Sequence, residues 1–160
     1  GATQGAGPPA AARAAGAARP SHAGPPGARV SPGSAGAQKS SELISQLASL
    51  REPTRSPSQL VHGDLYGTVL FAGAAAPGIT DITPYWRPSV WAAGVVVVDA
   101  LAWGDADDGL VERWSPLPEW PQMLLRALMF RLAVHALHPR ATAAAFPGLA
   151  RTAALVRLAL

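Results

Sequence analysis

Val61-His62-Gly63-Asp64-Leu65 puts a histidine and an aspartate in one tight loop after a short apolar run, and Ile79-Thr80-Asp81-Ile82 supplies a second aspartate one hairpin later. Carboxylates in such an arrangement suit phosphoryl transfer. One carboxylate can accept or orient the proton of an acceptor hydroxyl, while another holds Mg²⁺ against the nucleotide phosphates. No other part of the 160-residue chain points to a chemistry as directly.

Other reactive side chains read as structural. His135 and His138 lie one helical turn apart but lack an evident third metal ligand, so they read as core or cap histidines. Asp105, Asp107 and Asp108 imitate the start of a Ca²⁺ loop, yet Gly109 comes too early and no closing Glu follows. A solvated turn is the better reading. Arg126, Arg131, Arg140, Arg151 and Arg157 would make a positive stripe, but without interleaved aromatics it argues against nucleic acid as a partner. Arg87 beside Trp86 reads either as a contact to an acidic group or as a packed stack.

The elements that must position the two aspartates follow from the sequence pattern. Residues 1–38 hold Pro-Pro pairs, many glycines and a single large aliphatic residue, Val30, so they read as disordered. A helix is expected from Ser40 or Ser41 to Leu50, with Ser and Glu42 as its start signal and Leu43, Leu47 and Leu50 on one face. Strands are expected over 59–62, 68–72 and 79–82, the last carrying Asp81 near its end. Beyond Pro84 the pattern turns helical: Ser89 to Trp103, Pro118 or Glu119 to Leu137, and a tail helix within Gly148 to Leu160. The fold class is therefore α+β and mainly helical, with residues 39–160 as one domain.

Composition narrows the setting. Cysteine is absent, which excludes disulfides and thiolate metal sites and accords with a cytoplasmic location. The formal charge is +3, carried almost wholly by arginine in an Ala-, Gly- and Pro-rich chain. That is the signature of a GC-rich genome more than of a nucleic-acid binder. The most apolar run, Val90 to Leu101, is broken by Asp99 and falls short of the roughly 20 residues a membrane span needs. A Gly rather than Met at the first position is expected of a chain processed or cut from something longer.

The His62-Gly63-Asp64-Leu65 loop resembles that of the aminoglycoside phosphotransferase and choline kinase-like family, and Asp81-Ile82-Thr83-Pro84-Tyr85-Trp86-Arg87-Pro88 is similar to a string in a narrower group of uncharacterised actinobacterial proteins related to it. The resemblance covers roughly residues 59–160. It implies a kinase-like C-terminal lobe, with short hairpin strands carrying the catalytic-type loop and a helical bundle behind them. It implies Asp64 as catalytic base with His62 in the loop-histidine position, Asp81 as metal ligand, and Asp99 as the anchor of the loop backbone. ATP, Mg²⁺ and a small-molecule hydroxyl acceptor come with it. Two departures stand out. The family's metal-binding Asn falls on Thr68, one residue early, and nothing upstream supplies an ATP-binding lobe, since Lys39 is the one lysine and has no strand around it. The expected protein is thus phosphotransferase-like, truncated and catalytically incompetent as it stands; the alternatives are a non-catalytic kinase-derived interaction or structural module, self-associating through exposed apolar surface, or a fragment with no independent function.

Overall fold

The residues from Ser89 to Trp103 carry few groups that need water, and they form a helix, α2, buried on most sides. Its main partner is α4 (Trp120–Leu137), which begins with Pro121 in its first turn, where the missing N–H costs no helical bond. The computed structural model describes residues 35–139 and 141–160. Within them α4 is the central helix, packed by α1 (Ala35–Ala48), α2 and α5 (Phe146–Leu158). A Cβ at Gly94 would lie 3.2 Å from the Ala127 Cβ and 3.3 Å from the Met123 carbonyl, so α2 and α4 meet almost backbone to backbone. Leu124, Leu125, Leu128 and Leu132 of α4 are fully buried in the core, which Leu47, Leu149 and Val156 join from the other helices. A short helix, α3 (Leu110–Arg113), and a 3₁₀ turn at Ala143–Ala145 complete the helical part. Among the described residues no helix is long and apolar enough to cross a membrane.

The protein is α+β and mainly helical, as expected. Several boundaries differ. The expected disordered segment lies largely outside the described residues, but positions 35–38 are helical and α1 crosses the proposed domain boundary. Ser40 is not a cap. It sits inside α1, fully buried, and its hydroxyl bonds the Nδ1 of His135 at 2.8 Å, while Nε2 of the same ring meets the Thr142 carbonyl at 3.0 Å. Tertiary packing against α4 extends the helix beyond its local start signal.

The strands form two separate antiparallel pairs, β1 (Gln59–His62) with β4 (Pro84–Arg87) and β2 (Val69–Leu70) with β3 (Gly78–Ile79). β4 was not expected, because Pro84 reads as the onset of helical sequence. Its proline opens the strand, where a missing N–H is tolerated. Tyr85 then faces inward and Trp86 outward, opposite Val61 and Leu60 respectively. β2 and β3 are shorter than expected, and Asp81 lies past the end of β3, in the connection to β4. Leu70 and Phe71 are exposed, so no packed face sustains a longer ladder there.

Candidate functional site

β1 delivers its last residue, His62, to the edge of a loop held by three local devices. The first is the histidine ring. The Asp64 N–H donates to His62 Nδ1 at 3.1 Å, so the ring proton belongs on Nε2, which donates to the Asp81 carbonyl at 2.5 Å. His62 therefore ties the loop to the backbone of residue 81 and spends both nitrogens doing so. The second is Gly63, whose N–H donates to the Thr83 carbonyl at 2.8 Å. A Cβ there would lie 2.3 Å from the Tyr85 ring, so the position requires glycine for close approach. The third is Thr68. It is buried, its hydroxyl donates to the Leu65 carbonyl at 2.8 Å, and its own carbonyl accepts from the N–H and hydroxyl of Thr80.

The Asp64 carboxylate meets a residue that sequence reasoning had assigned to a surface stripe. Arg131, on α4, donates from Nη2 to Asp64 Oδ1 at 2.8 Å. The same guanidinium grips Asp99 of α2, with Nε on Oδ1 at 2.7 Å and Nη2 on Oδ2. The Arg131 and Asp99 side chains are nearly inaccessible, at 9% and 4%, and that of Asp64 keeps 27%. Burial alone would push the Arg131 pKa down, but Asp99 and then Asp64 outweigh it and hold it above its ordinary value. One cation thus serves two carboxylates, and Asp99 is joined to the loop through it. A cue was present in the sequence: a lone acidic group in apolar α2 needs a buried cation nearby, and α4 carries one on its inner face.

The remaining arginines do not form a stripe. Arg151 pairs with Asp108 and also donates to the Leu101 carbonyl, Arg157 bonds Gln46, and Arg140 lies outside the described residues. Asp107 is held below its usual range by Arg113, which reaches it through two hydrogen bonds.

The structure brings His62, Asp64, Thr68 and the backbone of Asp81 into one bonded loop system and connects it to Asp99 through Arg131. It does not build a metal site from them. Asp81 is exposed, an Asp64 oxygen faces a guanidinium, and the Thr68 proton is given to a carbonyl. Among the described residues no three His, Asp or Glu side chains gather closely enough to hold a metal ion. The donor set does not fit a resident Mg²⁺. No protein-family model matches the chain, and no curated protein or solved structure matches it either.

Proposed function

We propose that this chain is a kinase-like C-terminal lobe, phosphotransferase-like in ancestry, whose catalytic-type loop serves as a structural brace in a non-catalytic, cytoplasmic interaction module. The observation that supports this most is the Arg131 bond to Asp64. A general base needs a lone pair free to meet the substrate's proton. Here a guanidinium that also neutralises a buried aspartate takes Oδ1 of that carboxylate and lowers its basicity, so turning Asp64 toward a substrate would disturb the core. His62 and Thr68 are likewise engaged in holding the loop. ATP, Mg²⁺ and a hydroxyl acceptor attach to the chain through the resemblance alone, and on this reading it uses none of them.

Thermal melting with and without Mg²⁺ and ATP tests the proposal. The expected result is an unchanged midpoint. A saturable, Mg²⁺-dependent rise that Asp81→Ala abolishes would overturn it and favour an active phosphotransferase.

An interaction role has its own support. Leu60 and Trp86, direct cross-strand partners, are 69% and 66% exposed on the outer face of β1 and β4. Such apolar side chains suit contact with a second copy of the chain. Sedimentation velocity should show self-association that weakens when both are replaced by serine, and a monomer at all concentrations would contradict the interface.

A further inference from the structure

A groove of about 610 Å³ runs along the helical core, bordered by the end of α1, the 51–58 segment, β4 and α4. None of His62, Asp64, Thr68, Asp81 or Asp99 lines it. Its floor is aromatic. Tyr85, Trp91 and Phe130 form a triangle of edge-to-face rings with centroids 5.2 to 5.7 Å apart, flanked by Met123 and Met129. Three arginines, Arg51, Arg87 and Arg126, stand at its border, and no carboxylate lines it among the described residues. The size and the mix of an apolar floor with a few convergent polar groups are those of a small-molecule site.

Arg126 is fixed by hydrogen bonds rather than by a salt bridge. Its Nη1 donates to Gln122 Oε1 at 2.7 Å and its Nη2 to the Glu52 carbonyl at 2.6 Å, both uncharged acceptors. Burial pushes its pKa down and the nearby Arg51 charge pushes it further, with Glu119 opposing. The fold therefore keeps two cations near each other above an apolar floor. Like charges held in this way are relieved by an anion, and guanidinium groups suit carboxylate and phosphate oxygens. The aromatic floor would at the same time take up an apolar body.

We propose that this groove binds a small amphiphilic anion, with an aromatic or acyl body on Tyr85, Trp91 and Phe130 and a carboxylate or phosphate on Arg51 and Arg126. The site is separate from the Asp64 loop and stands whether or not that loop is catalytic.

Isothermal titration of the full chain with naphthyl phosphate and with naphthoate tests it, using naphthol and inorganic phosphate as controls. At least one naphthyl anion binds one-to-one, and the tighter of the two identifies the head group. Naphthol and inorganic phosphate bind at least about tenfold more weakly, a gap of about 1.4 kcal/mol. Arg51→Ala and Arg126→Ala each weaken binding several-fold or more, Met129→Trp blocks it by filling the floor, and Arg157→Ala leaves it unchanged. Near-UV circular dichroism confirms folding. Arg51 is exposed, so its variant carries the test if Arg126→Ala does not fold. Absence of binding by both anions, equal binding of naphthol or inorganic phosphate, or wild-type affinity in the folded arginine variants would overturn the proposal.

Discussion

Arg126 and Arg131 sit on the same helix, little more than a turn apart, and meet opposite fates. Arg131 points into the core and meets two carboxylates from two other parts of the chain. Arg126 faces a groove, is held by neutral acceptors and shares its surroundings with another arginine. A buried charge with full compensation is a structural joint, since removing one partner strands the others. A charge fixed by neutral acceptors, with no salt bridge, is a site able to take a counter-charge. The difference separates the part of this molecule that holds the fold from the part able to receive a ligand.

The comparison breaks most readily at Arg131. Arg131→Met removes the cation that compensates the buried Asp99 carboxylate and should cost about 3–5 kcal/mol in urea unfolding. A loss below about 1 kcal/mol would mean that the joint is not structural. Gly63→Ala tests the contact that joins the two regions, because Tyr85 belongs to the groove floor and also packs over the loop. Driving a methyl into that ring should cost about 1–3 kcal/mol and weaken binding in the groove. Unchanged stability would show that Tyr85 moves aside freely. Arg126→Ala should change stability by less than about 1 kcal/mol in either direction, because the side chain makes no salt bridge and its one favourable charge contact is with Glu119. A loss as large as that at Arg131 would erase the distinction.

The smallest effect concerns pH. The Ser56 hydroxyl and the Arg55 N–H, with the Ser56 N–H and the Arg126 charge, hold the Glu119 carboxyl below its ordinary 4.5 against the opposing effect of burial. A lowered folded-state pKa gives stability that is present above the ordinary value and lost as pH falls through the folded-state one. The melting temperature should therefore decline on acidification below about 4.5, and Glu119→Gln should flatten that decline. Because Glu119 secures the 51–58 segment, acid should loosen the groove border.

Helical periodicity carried the largest elements. Apolar residues placed α2 with its observed ends, and Pro121 marked the first turn of α4 because proline there costs no hydrogen bond. Elements defined by distant partners were less legible. The start of α1 depends on Ser40 meeting His135 across the core, and β4 exists because β1 lies beside it. Strands of two residues carry almost no periodic signal, so the ends of β2 and β3 were misplaced. In the candidate site, residue order located His62, Asp64, Thr68 and Asp81, but spacing along a chain cannot say which carboxylate a distant arginine will reach. Arg131 reads as surface when its helical neighbours are taken without the buried Asp99 opposite. The groove is invisible in the sequence for a similar reason: Arg51, Arg87 and Arg126 come from separate segments that only the fold assembles.

A double-mutant cycle between Asp64 and Arg131 tests the central claim, that Asp64 serves the fold through Arg131. Unfolding free energies of the wild type, Asp64→Asn, Arg131→Met and the double variant would be measured in urea. The account predicts that Asp64→Asn alone is destabilising and that the pair couples by at least about 1.5 kcal/mol, as for a charge-assisted hydrogen bond in a partly buried site. Additive effects, with Asp64→Asn neutral or stabilising as when a strained catalytic carboxylate is removed, would contradict it.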